Sequence, residues 1–517
     1  MNTTIRAARA ADLEPSARQS RPPWLGIAVI AAAATGVELA VSARYGYARD
    51  ELYFLAAGHH LAFGYVDQPP LTPLLARISA AVTGNTLVGL RVLPALGLAA
   101  LVLATAAMSR RLGAGRTGQL LAALAAATCG EFLGDMHELT TAAPDFVFWA
   151  VTLLLVMRLL DSQDRRWWVA IGGCVGIASE AKWNIGFLVA ALAAGFLVTD
   201  ARRLLRSRYL LLGAVIAAAL AAPDLIWQAM HGWPNLDVFR SLQGAAGHNR
   251  VVFWLGQILY TGPVLTPIWV TGAIWSLRSA AARRFRPVAI ACVTAIVLQF
   301  VLGGKAYYPG AAYTFLLAAG SVPLEQRLAA RRPVKRAALA RGIRPGVAKG
   351  AAMIAGAILA APVALSVLPA RTLHTVPLQK INYDLAETIA WPKLVGLVAR
   401  EYDALPGPQR LRTAILTGNY GEAGAVDRYG PGLGLPQAYS GNNNFWLWGP
   451  PPAADTAVIA VNVWPDVLHR EFAHVHVVAT FWNGLGVSDD EQGVKIYLAT
   501  GLRASWAQAW PAFRAYA

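Results

Sequence analysis

Asp50 and Glu51 stand side by side just beyond an apolar run that ends near residue 43. A carboxylate where a chain leaves a bilayer can stay ionised while it faces a substrate whose apolar part remains in the lipid. It can take the proton from an attacking hydroxyl or amine, or orient that nucleophile. Acids in the first turn of a helix are also explained by the helix dipole alone, so the pair needs a context. Further along, Asp67 lies in Gly64-Tyr65-Val66-Asp67-Gln68-Pro69-Pro70-Leu71, and His59 and Tyr53 stand between the two acidic points. Lys182 and Lys305 each sit between apolar runs, beside Trp183 and beside Tyr307 and Tyr308 respectively. A lysine at a bilayer edge either extends to the headgroups or holds an anion such as phosphate. Asp145 opens another apolar run, and Glu38 is embedded in the first. His137 and Glu138, with Asp50, could bind a divalent ion (Mg, Mn or Zn), although their spacing is not a tight ligand pattern and no motif requires a cofactor.

The elements that carry these residues are legible in the composition. Of 517 residues, 56% are hydrophobic and 14% charged, against about 25% charged in an average soluble domain. Apolar stretches near the ~20 residues that cross a hydrocarbon core alternate with Arg-rich clusters. Eleven spans are expected, at 24–43, 87–108, 118–134, 145–160, 167–181, 184–199, 209–227, 253–276, 287–302, 306–324 and 350–369. A net charge of +16 could suggest nucleic acid, but the clusters punctuate apolar runs, which is the pattern of membrane orientation signals. Cys129, Cys174 and Cys292 lie in or beside apolar segments without metal spacing and read as small core residues.

Orientation follows from Lys and Arg. With the N-terminal tail (1–23) in the cytoplasm, the inner segments hold 26 of them and the outer loops seven, which supports a cytoplasmic N-terminus. The run after Pro23 is long enough to span and reads as an uncleaved first helix. Three regions are expected: the tail 1–23, a transmembrane body 24–369 with its first outer loop at 44–86, and an outer domain 370–517. In that last region 413–417, 457–461 and 475–479 read as short buried strands, alternating with helices near 384–403 and 464–472, as in a small α/β domain. The basic stretch 325–349 reads as a cytoplasmic linker able to contact membrane lipids. Trp227 to Pro234 reads first as interface anchors. Gly418 to Ala425 is a Gly-rich turn between strand and helix, and Tyr439 to Gly449 is rich in amides and aromatics. The first could cradle phosphate and the second could face sugar hydroxyls or simply pack.

Arg49-Asp50-Glu51-x-Tyr53, followed by Gly64-Tyr65-x-Asp67-x-Pro69-Pro70-Leu71, resembles the first periplasmic loop of bacterial family-39-type glycosyltransferases. These stand with the dolichyl-phosphate-mannose protein mannosyltransferases and the aminoarabinose lipid A transferases. Gly303-Gly304-Lys305-Ala306-Tyr307-Tyr308 resembles the family's Gly-Lys-x-Tyr-Tyr segment, Ala181-Lys182-Trp183 its Ser-Lys-Tyr segment, and Thr141-x-x-Pro144-Asp145 its Thr-x-x-Pro-Asp segment. The resemblance implies a GT-C fold, a polytopic helical membrane protein of about eleven transmembrane helices with a C-terminal extracytoplasmic α/β domain. It implies a bacterial inner membrane enzyme that moves a sugar, with inversion, from a polyprenyl-phosphate carrier to a lipid, glycan or protein acceptor. It places Asp50, Glu51 and Asp67 at the catalytic position, and Lys305, Tyr307, Tyr308, Lys182, Asp145, His59 and Tyr53 around the substrate. The aminoarabinose branch has a lysine where this chain has Gln68, so another cation must serve the phosphate. A transporter or lipid flippase is the rival reading; it predicts inverted repeats, and the sequence has none.

Overall fold

The computed structural model describes residues 22–330 and 345–516. The N-terminal tail up to Arg21 and most of the basic linker 325–349 lie outside the described residues.

Six described helices are long and apolar enough to cross a membrane: Trp24–Val41, Leu87–Arg111, Ala142–Ser162, Arg208–Met230, Arg283–Leu302 and Gly346–Ala364. The expected span 253–276 is not one straight helix. It is a pair, Ala246–Thr261 and Thr266–Arg278, bent by 105°. Gly262 (φ 95°) and Pro263 follow directly on the first helix; glycine closes a helix end and proline resists its continuation. The expected span 118–134 is also interrupted, into Arg116–Ala127 and a short helix Gly130–Asp135. Gly130 permits the break to pack: a Cβ there would come within 2.6 Å of the Tyr260 carbonyl. Trp167–Ser179 and Ile185–Leu197 are helical as expected, but with 13 residues each they reach only about 20 Å at 1.5 Å per residue. By length and apolarity the described residues therefore give six spans, or seven with the bent pair, where eleven were expected.

Small residues set the helix contacts. Trp167–Ser179 lies against Arg208–Met230 so closely that a Cβ on Gly172 would stand 2.1 Å from the Gly213 carbonyl oxygen. Close backbone approach of this kind replaces the hydrophobic drive that lipid cannot supply.

The region after the last apolar helix folds around a five-stranded sheet of order β2-β1-β3-β5-β4. β1 (Thr413–Thr417), β2 (Ala438–Ser440) and β3 (Ala457–Val461) are parallel; β5 (Lys495–Leu502) runs antiparallel to both β3 and β4 (Phe472–Thr480). β1 and β3 are buried at every position. The expected buried strand 475–479 lies within β4, but β4 is an edge strand and mostly exposed. Its valines fit a pleated surface without needing a core on both faces. The helix expected at 384–403 is broken into Asp384–Glu387 and Trp391–Asp403, with Ala390 at φ 65° between them.

This tail domain sits on the first loop. The loop helix Arg49–His59 packs against the tail helix Tyr420–Tyr429 through two glycines. A Cβ on Gly421 would meet the Arg49 side chain at 2.3 Å, and one on Gly424 would meet Leu52 at 2.9 Å. Leu52, Tyr53, Leu55, Trp391, Ala423, Val426 and Phe445 share one buried cluster.

Candidate active site

Asp50 and Glu51 are neighbours in sequence with opposite surroundings. Glu51 is completely buried. Arg91 grips it with two bonds, Nε to Oε1 at 2.9 Å and Nη2 to Oε2 at 2.7 Å. The Ala48 N–H donates to Oε2 and the Leu139 N–H to Oε1. Arg91 also donates to the Ser42 and Gly46 carbonyls and lies 3.9 Å from Glu138. Glu51 thus ties the first loop to the loop after Asp135, and neither oxygen is left open to a reactant.

Asp50 is half-buried, and the Tyr420 hydroxyl donates to its Oδ1 at 2.9 Å. Beside it, Asp67 accepts from Tyr53 Oη at 2.9 Å and from Asn443 Nδ2 at 3.1 Å. Burial pushes the Asp67 carboxyl up to about 7; the Tyr53 hydrogen bond works against this, and the charge of Asp50 adds to it. Tyr53 stacks near Tyr420, with ring centres 4.7 Å apart. Asn444 takes the Val66 N–H at 2.6 Å. The amide-rich stretch 439–449 therefore clamps the first loop rather than standing free. Gly418 to Ala425 has its donors occupied too. Glu422 accepts from the Gly418 and Asn419 N–H groups, Asn419 Oδ1 from the Glu422 N–H, and Asn442 from the Tyr420 N–H.

The two lysines converge on one pair of rings. Lys182 Nζ lies 5.4 Å from the Tyr307 ring centre and 4.8 Å from that of Tyr308, and Lys305 Nζ lies 5.9 Å from Tyr307. Asn184 braces this corner, donating to Asp145 Oδ2 at 2.7 Å and to the Tyr308 carbonyl at 3.0 Å, while Gln299 donates to Asn184. Asp145 is buried, and the charge of Lys182 acts on its carboxyl. Asp50 in turn lies within electrostatic reach of Tyr307. The structure thus gathers two lysines and two tyrosines from two later loops into one corner.

Two sequence candidates stand apart. His59 is exposed, and its Nδ1 meets Arg77 at 3.2 Å. His137 has both ring nitrogens engaged, Nδ1 with Glu38 at 2.9 Å and Nε2 with Ser366 at 3.3 Å. Burial and Arg91 push its imidazole down to about 3. No group of three or more His, Cys, Asp or Glu among the described residues is arranged to hold a metal ion. His137 and Glu138 with Asp50 do not fit a divalent ion. Trp227 to Pro234 has a packing role: Gln228 donates to the Tyr65 carbonyl at 2.7 Å, and Trp227 stacks on His231.

Sequence reasoning missed Arg91 and Tyr420. Arg91 left a signal, because a charge inside an apolar span requires a partner. Tyr420 left none, since it reaches the site only through the docking of the tail.

Residues 67–227 match the family model described as dolichyl-phosphate-mannose-protein mannosyltransferase. No curated protein matches the chain. Among solved structures, ArnT from Cupriavidus metallidurans bound to undecaprenyl phosphate is similar at 15% identity, over 91% of this chain and 97% of that one, with a TM-score of 0.56. The apo form of the same protein gives 14% identity over 92% and 97%, with a TM-score of 0.52. Residues 67–227 thus resemble the dolichyl-phosphate-mannose-protein mannosyltransferases in sequence, and over most of its length the chain has the fold of ArnT.

Proposed function

We propose that the protein moves a sugar from a polyprenyl-phosphate carrier to an acceptor at the outer face of a bacterial inner membrane, with inversion at the anomeric carbon. The observation that carries this reading is Asp50. Of the two neighbouring acids it is the one left accessible, half-buried and held by the Tyr420 hydroxyl, while Glu51 is sealed by Arg91. The relative with this fold that was captured with undecaprenyl phosphate supports the choice of carrier.

In the proposed reaction Asp50 orients the acceptor hydroxyl or amine and takes its proton as the new bond to the anomeric carbon forms. The bond from that carbon to the phosphate oxygen breaks on the opposite side, which inverts the centre. Lys305 and Lys182 hold the departing polyprenyl phosphate, whose charge grows as the bond breaks. Asp67, with Tyr53 and Asn443, fixes the loop beside Asp50; Glu51 positions Asp50 through Arg91. The N-terminus is placed in the cytoplasm and the tail domain outside, on the charge asymmetry of the loops.

The test is Asp50→Asn in purified protein supplied with a polyprenyl-phosphate sugar. Transfer is expected to fall by about 100-fold or more, the usual range for losing a general base, with the thermal transition unchanged. Near wild-type transfer by a folded variant defeats the assignment.

A further inference from the structure

A cavity of about 600 Å³ lies between the ends of the apolar helices and the tail domain. Three candidate spans finish at it. Arg44 to Tyr47 follow closely on Trp24–Val41, Thr86 and Leu87 stand at the start of Leu87–Arg111, and Ala370 comes shortly after Gly346–Ala364. The tail supplies the other wall, with Thr388 to Ala390, Pro392, Arg428, Tyr429 and Leu485. The tail helix Tyr420–Tyr429 leads from the Asp50 site to this cavity: Tyr420 bonds to Asp50, and Arg428 lies about 12 Å further along the helix axis. Where three spans end together, the hydrocarbon stops and the lipid headgroups begin.

The cavity carries positive charge and nothing in its lining neutralises it. Arg44 and Arg428 both line it, and no Asp or Glu does. Neither arginine pairs with a carboxylate of any described residue. Arg428 is held in place. Its Nη2 donates to the Asn85 carbonyl at 2.9 Å, and its guanidinium lies 5.3 Å from the centre of the Tyr47 ring, which Tyr429 meets edge-on. Its Nε is buried and has no hydrogen-bond partner among the described residues; a donor left so is costly until an acceptor meets it. Arg44 is exposed at the rim, and its side chain makes no hydrogen bond or ion pair with any described residue. The helix Trp391–Asp403 starts in the wall, behind Ala390 at φ 65°, and no side chain caps it, so the positive end of its dipole adds to the field. Val82 and Val88, exposed on either side of Thr86, offer apolar surface beside the opening.

We infer that this cavity is a second anion site, holding the phosphate of a membrane lipid headgroup between Arg44 and Arg428 while the acyl chains lie along the ends of Trp24–Val41 and Leu87–Arg111. A guanidinium fork matches the oxygens of a phosphate, and the three span ends set that phosphate at headgroup depth. Arg44 belongs to the first loop and Arg428 to the tail, so one lipid bridges the tail domain to the membrane body. The site uses neither Asp50 nor the lysine corner, and it stands whether or not the proposed transfer reaction does.

The experiment titrates the full chain in detergent with phosphatidylglycerol, with diacylglycerol of the same chains and with inorganic phosphate, and counts bound molecules by native mass spectrometry. Wild type is expected to bind one phosphatidylglycerol about tenfold or more tightly than diacylglycerol, the scale of hydrogen bonds to a charged group. The double variant Arg44→Gln/Arg428→Gln is expected to lose that preference, and Arg240→Gln, at an exposed arginine outside the cavity, to keep it. Arg44→Gln alone removes a side chain that supports nothing in the fold; it is expected to weaken the preference several-fold and decides the matter if the double variant does not fold. No preference in wild type, full preference in the cavity variants, or an equal loss in Arg240→Gln overturns the inference. Displacement of the lipid by an equal concentration of inorganic phosphate overturns it as well, since the site would then take the free ion.

Discussion

At the scale of single residues, the division of labour between Asp50 and Glu51 is set by Arg91. The fork of Arg91 meets both oxygens of Glu51, and two backbone N–H groups complete the set. Removing one partner of such a pair leaves a charge buried without compensation, which costs about 3–5 kcal/mol. Arg91→Met is therefore expected to lower the unfolding transition of the detergent-solubilised protein by that order. It should also depress transfer, because the backbone before Asp50 loses its anchor at Gly46. A variant of unchanged thermal stability refutes the clamp. The contrast with Asp50 is instructive. The two acids differ by one position, and on a helix that is a rotation of about 100°, enough to turn one into the protein and leave the other at the opening.

At the scale of elements, the decisive contact is the tail helix Tyr420–Tyr429 on the loop helix Arg49–His59. Gly424 makes it possible, since a Cβ there already approaches Leu52 at 2.9 Å. Gly424→Val is expected to cost about 1–3 kcal/mol as overpacking and to move Tyr420 off Asp50, so that transfer falls more than stability explains. Transfer at the wild-type level would mean that the Tyr420 bond is dispensable. The bend at Gly262 belongs to the same scale. A hydropathy window sees 253–276 as one apolar stretch, whereas Gly262-Pro263 splits it, and that split gives the late helices their separate directions.

At the scale of the whole molecule, the acids at the junction of tail and first loop act together. Asp67 and Glu491 are raised to about 7, and Glu387 and Glu422 to about 8, each chiefly by burial. The folded state thus holds these protons more tightly than the unfolded chain does. That contribution to stability is complete below the ordinary carboxylate values near 4 and is lost as pH rises through 7 to 8. The thermal transition in detergent is expected to be higher at pH 5 than at pH 8.5, and Asp67→Asn should shrink the difference. A transition that rises across this interval contradicts the surroundings assigned to these acids.

The sequence determined the long apolar helices, the α/β character of the tail and its strands at 413–417 and 457–461. All of these follow from local composition and motif, which need no partner. Span lengths were less legible, because apolarity reports burial in lipid and in protein alike. Tyr313–Ala330, for example, is buried over most of its length by other helices. Only the tertiary structure decided that Glu51 is sealed by Arg91 and Asp50 left open, and that 439–449 clamps the first loop. Each depends on contacts between segments tens to hundreds of residues apart. Such contacts form only when the whole chain has packed, so neither spacing nor periodicity encodes them.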